Sequence, residues 1–200
     1  IQVYFIDHHS TDNTVAEASK WLGKGLLKIE TFPEESGFDV EDNTYSWRFI
    51  LQRKEQLAKQ LGPGWYIHTD ADQFRESPWP DLNLRQGIEK VDASGFDAIN
   101  FKIYDFKPTD DNFVPGEDVR NHLKYYDTDI HSFNHVQIKA WKYEGQDFNL
   151  WESGGHDVKF EHRKIFPFPF ILRHYAIRSQ KHGEQKIFAD RKPRFDAEER

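Results

Sequence analysis

The run Trp65-Tyr66-Ile67-His68-Thr69-Asp70-Ala71-Asp72 constrains this chain more than any other. An apolar, aromatic, β-prone stretch stops at two carboxylates, Asp70 and Asp72, spaced i and i+2. In open α/β sheets ligands gather beyond the carboxyl ends of the strands. The pattern therefore predicts a strand that delivers a metal site. A small hard cation such as Mn²⁺ or Mg²⁺ needs only one or two protein carboxylates when substrate phosphates and water complete its shell. The same residues also suit a plain Asp-rich turn, because Asp bonds to its own backbone. On this segment alone the two readings are even.

A second acidic loop tips the balance. Val3-Tyr4-Phe5-Ile6 reads as a strand and runs into Asp7-His8-His9-Ser10-Thr11-Asp12-Asn13-Thr14. With this pair of strand-terminal loops the sequence resembles the family 2 glycosyltransferases of GT-A fold. Asp7, Ser10, Asp12 and Thr14 match that family's first loop, and Asp70 and Asp72 match its Asp-x-Asp signature. A third block extends the likeness: Ser153-Gly154-Gly155-His156-Asp157-Val158, then His174-Tyr175-Ala176-Ile177-Arg178-Ser179 and Lys186. These are similar to the carboxyl-terminal part of a bacterial subgroup. The family usually opens with a strand and helix ahead of the first acidic loop, so this chain is expected to begin at the second strand. The absence of Met points the same way, toward a segment of a longer product.

The resemblance implies an α/β, three-layer GT-A fold with a mainly parallel sheet, amino-terminally truncated. Residues 1–200 form one domain in this reading, with 1–107 as the nucleotide-binding half and 108–200 as the acceptor half. The periodicity agrees with alternation in the first half. Strands are predicted over 2–6 and 26–32, in the apolar stretch from Trp65 that ends at the Asp-x-Asp acids, and over 97–106, and helices over 14–22, 44–61 and 82–91, the second stopped by Gly62-Pro63-Gly64. After Pro108 the chain turns rich in Asp, Asn, Gly and His, with short β-like pieces such as 135–141. Such loops commonly carry function over a rigid scaffold.

The implied activity is metal-dependent transfer of a sugar from a nucleotide-sugar donor to a glycan or other hydroxyl acceptor, with inversion. Asp70, Asp72 and His174 would hold Mn²⁺ or Mg²⁺. Asp7, His8, Asp12, Asp70, Arg178 and Lys186 would bind the nucleotide. Ser179 is suited to cap a helix facing a phosphate. His8 stands where the family often has an acid or Asn, which leaves the base open among uridine, guanosine and thymidine. An inverting transfer needs a group to take the acceptor's proton. Asp157, beside His156, is the first candidate, and Glu117 or Asp118 the second. Ordinary readings compete at each position: a core histidine at 174, solvated charge in the basic run Lys181, Lys186, Arg191, Lys192 and Arg194.

Composition bounds the rest. No Cys is present, so disulfides and thiolate metal sites are excluded, which fits a cytosolic protein or one at the inner face of the membrane. A net charge of −7 argues against a general nucleic-acid binder, and no apolar run reaches the length of a membrane span. The 16% aromatic content is read mainly as core, with Trp141 and Trp151 kept as acceptor contacts. Two rivals stand beside the transferase. A nucleotidyltransferase would normally show a Gly-rich basic loop after its first strand, and a non-catalytic carbohydrate-binding or scaffolding remnant would not turn over nucleotide sugars.

Overall fold

The computed structural model describes residues 1–38, 45–128 and 136–191. Its elements in chain order are β1 (Val3–Asp7), α1 (Thr14–Ser19), β2 (Leu26–Thr31), α2 (Trp47–Leu61), β3 (Gly64–Ile67), β4 (Gln73–Glu76) and α3 (Leu84–Ala93). Then follow β5 (Ala98–Lys107), α4 (Val119–His122), β6 (Tyr125–Asp127), β7 (Ile138–Tyr143), β8 (Phe170–His174), α5 (Gln180–Glu184) and a π-helical turn, Gln185–Arg191. The expected positions 44, 135, 192 and 194 lie outside the described residues.

Local chemistry sets the boundaries. Ser46 caps α2 by accepting the Phe49 amide, and Gly62 ends it at φ 88°, a left-handed conformation that glycine adopts at little cost. Asn83 and Gln86 form a capping box that starts α3 two residues later than the periodicity indicates. Ser179 does cap α5, accepting the His182 amide at 3.1 Å.

Hydrogen bonding divides the strands into two sheets. β1 and β2 pair in parallel, with Phe5 opposite Ile29. The other six form one sheet in the order β3-β7-β5-β8-β4, and β6 pairs with the end of β5. Only β5 and β8 run parallel there; every other pair is antiparallel. The expected mainly parallel sheet is thus corrected to a mixed one. The reason lies in the stretch after Pro108: it returns β7 antiparallel between β3 and β5. Periodicity inside a strand carries no direction.

Alternation across this sheet separates two cores. Ala98, Trp141 and Tyr143 pack with Leu51 and Ala58 of α2 and with Phe148, Leu150 and Val158. Ile99, Phe101, Ile103 and Ala140 pack on the other face with Ile88 and Val91 of α3, Phe166 and Phe170. Helix, sheet and helix make three layers. Trp141 is only 2% exposed, so it is a core residue and the acceptor contact expected of it is withdrawn. Trp151 is partly buried against the same cluster. The small sheet is joined to α2 by Arg53, whose Nε and second terminal nitrogen each donate to Glu30 at 2.7 Å, with Tyr4 donating to the same carboxylate.

Candidate functional site

The strand pleat decides what surrounds Asp70. On β3, Tyr66 faces the α2 side and packs beside Trp141, so His68, two residues on, faces that side as well. There Lys54 Nζ of α2 lies 3.0 Å from His68 Nδ1. The other ring nitrogen, Nε2, stands 4.0 Å from Asp70. A bulge between Ile99 and Asn100 shifts the register of β5 and β7. Ile138 and Trp141, three apart, consequently share one core. Beside this irregularity Lys139 lies almost wholly buried, with Nζ 3.9 Å from Asp70.

Two more groups complete this centre. Arg75 of β4 lies over the Phe101 ring at 5.0 Å, donates to Thr69 and Gln73, and has a buried Nε with no partner. His156 Nδ1 is 3.0 Å from the Gln137 amide nitrogen. The preceding Gly155 presses on His68: a Cβ there would meet Nε2 at 2.8 Å. Only glycine lets the backbone come this close.

Burial in this crowd of positive groups has one electrostatic outcome. His68 is driven well below its ordinary value, by burial first and then by Lys54, Lys139 and Arg75. Burial also lowers Lys139 to about 8 and Arg75 to about 10, each against a partial counterpull from Asp70. Lys54 and His156 are lowered for the same leading reason. Both histidines are therefore neutral near pH 7, while Lys139 and Arg75 supply the charge.

Asp72 belongs to a second centre. Lys186 Nζ is 2.9 Å from it and also donates to the Ala176 carbonyl. His174, at the end of β8, lies 3.7 Å from Asp72 through Nε2 and 3.0 Å from Asp105 through Nδ1. Burial raises the pKa of Asp72, but the Lys186 hydrogen bond and charge outweigh it and the net shift is downward. Asp105 follows the same balance, with His174 and Lys107 lowering it.

Three of the sequence blocks thus meet at one end of the main sheet: Asp-x-Asp, the Gly-Gly-His-Asp loop, and the segment from His174 to Lys186. The remaining predicted residues have local surroundings of their own. Asp7 and Asp12 accept the amides of Ser10 and Thr14 within their own loop, and one buried Asp7 oxygen has no partner. His8 packs near Phe32 and Tyr45. Asp157 is held by Arg163 at 2.5 Å. Asp118 caps α4 and pairs with Arg120, and Glu117 is exposed. Asp118 and Arg120 line a polar cavity of about 430 Å³ with Glu76, Lys124 and Arg173. Arg173 and His174 are successive residues of β8, so this cavity opens on the sheet face opposite to His174. Arg178 Nε is buried without a partner.

A divalent cation fits these donors only in part. Asp70 and Asp72 face different cationic partners, and among the described residues no three His, Asp or Glu side chains are gathered for a metal. Asp72 with His174 is the better pair of donors, and Lys186 already neutralises it. Sequence reasoning missed Lys54, Arg75 and Lys139. Only Lys139 left a trace, as a lysine inside the apolar strand Ile138–Tyr143. No protein-family model matches the sequence, and no curated protein matches it. No helix of the described residues is long and apolar enough to cross a membrane.

Proposed function

We propose that this chain is the sugar-transferring part of a metal-dependent GT-A glycosyltransferase, moving a sugar with inversion from a nucleotide-sugar donor to a glycan or other hydroxyl acceptor. The observation that supports this reading most is the meeting of Asp70, Asp72, His156, His174 and Lys186 at one sheet end. In it, Mn²⁺ or Mg²⁺ on Asp70, Asp72 and His174 would offset the charge that grows on the departing diphosphate. Lys186 would release Asp72 to that cation and turn to the phosphates, with Arg178 near it in sequence. Asp7, His8 and Asp12 would face the base and ribose.

The acceptor's proton would go to the Gly-Gly-His-Asp loop. Arg163 already occupies the Asp157 carboxylate at 2.5 Å, which favours the neutral His156 beside it; Glu117 and Asp118 stay the alternative. The test is a screen of nucleotide sugars with Mn²⁺, followed by release of nucleoside diphosphate and by thermal stabilisation. Turnover of one donor, lost on chelation and in Asp72→Asn, is the expected result. Stabilisation without turnover for every donor would favour a non-catalytic carbohydrate-binding remnant, a reading to which the Lys186–Asp72 and Arg163–Asp157 pairs lend weight.

A further inference from the structure

Beyond the end of β3 the protein gathers more positive charge than it balances. Lys54, Arg75 and Lys139 converge from α2, β4 and β7 around His68. Among the described residues the one carboxylate within 4.0 Å of any of the three is Asp70. Asp72, further off, is already held by Lys186. Such an excess is out of character for a chain of net charge −7. Charge removed from water is costly unless it is paired and hydrogen-bonded. Lys139 is 2% exposed and Arg75 keeps a buried Nε without a partner, whereas the Asp70 side chain is 48% exposed. The cations form the floor and Asp70 the mouth.

We propose that this cluster is a binding site for a multiply charged oxyanion, a phosphate or diphosphate group, which it takes up without a divalent cation by displacing the Asp70 carboxylate. The chemistry suits that ligand. The guanidinium of Arg75 offers a planar fork that matches phosphate oxygens, and two ammonium groups add mobile donors. The Thr69 hydroxyl, already bonded to Arg75, sits at the same edge. Asp70 is the resident anion, and its position on the exposed turn after β3 lets it swing aside. The inference does not require sugar transfer.

Isothermal titration of the chain with inorganic pyrophosphate in EDTA tests it, with inorganic phosphate, UDP and GDP as parallel arms. Pyrophosphate is expected to bind one to one, more weakly as salt rises. Lys139→Met should weaken it about tenfold, the scale of losing one charge-assisted hydrogen bond, with an unchanged far-ultraviolet spectrum. Asp70→Asn, on the exposed rim, should tighten it by removing the competing anion. A purely metal-borne site predicts the reverse for Asp70→Asn. UDP or GDP binding in EDTA with the same response to the two variants would identify a nucleotide's diphosphate as the source; binding of the inorganic anions alone would identify a free phosphate. The proposal fails if neither the unmodified chain nor Asp70→Asn binds any of these anions without metal. Nucleotide binding that appears only with Mn²⁺, with no metal-free binding of any of the anions, would sink this proposal and leave the transferase reading standing. Metal-free anion binding with no nucleotide-sugar turnover would do the opposite.

Discussion

Arg53 and Lys54 are consecutive on α2 and illustrate two ways of burying a cation. Arg53 meets Glu30 at two points, 2.7 Å each, with side-chain exposures of 8% and 0%. Burial raises the Glu30 pKa, but the hydrogen bonds of Arg53 and Tyr4 overcome it and the net direction is down. Each charge there has its complement. Lys54 instead meets a neutral histidine, with Lys139 and Arg75 beyond and one half-exposed carboxylate among them. A matched pair is a structural joint. An unmatched group of like charges lowers stability.

The largest effect expected from this contrast is in the joint. Arg53→Met should destabilise the fold by about 3–5 kcal/mol, because it strands the buried Glu30 carboxylate; denaturant unfolding measures this. A loss below about 1 kcal/mol would mean that Glu30 readily takes up a proton instead.

The opposite sign is expected in the cluster. In phosphate-free buffer Lys139→Met should stabilise the fold by about 1–3 kcal/mol, since it relieves a group whose pKa burial lowers to about 8 from an ordinary 10.5. Destabilisation of similar size would show that the two regions do not differ as argued.

The same group sets a pH signature. Between about pH 8 and 10.5 the unfolded chain keeps a proton on Lys139 that the folded chain gives up, so stability should rise with pH across that window. Burial drives this, with Arg75 and Lys54 adding to it, and Asp70 and Asp72 oppose it. Unfolding curves at pH 7.5 and 9.5 should separate in the unmodified chain and separate less in Lys139→Met, where Lys54, also lowered by burial, still contributes. Glu30 behaves oppositely: with its pKa lowered, its contribution is present above its ordinary value and lost as pH falls through the folded one.

The smallest effect is expected at Asp72→Asn, about 1 kcal/mol, because Lys186 is partly exposed and keeps the Ala176 carbonyl. A change as large as that at Arg53 would make Asp72 a structural residue.

Much of this was readable in the letters and some was not. Apolar spacing with Gly62-Pro63-Gly64 marks α2. The acids at 70 and 72 do follow the strand. What escapes is pairing across distance. Nothing in β7 announces that it enters between β3 and β5, so the mixed sheet is invisible to periodicity. Lys54 and Arg75 look like ordinary polar positions on a helix and a short strand. Their meeting with Lys139 needs that strand order and the bulge at Ile99 and Asn100. Trp141 misleads for the same reason, since a tryptophan near a loop in sequence sits here at the centre of a core.

The α2 helix carries one further residue in this series. Glu55, after Arg53 and Lys54, accepts the amides of Leu150 and Trp151 at 2.5 and 3.1 Å. Successive helical residues point about 100° apart, so three adjacent letters address three separate parts: the small sheet, the cation cluster and the segment leading to His156. The helix thereby works as an axle. Turning it by a fraction of a residue would displace all three attachments together, and inserting a single amino acid between Arg53 and Lys54 would put the first out of phase with the other two.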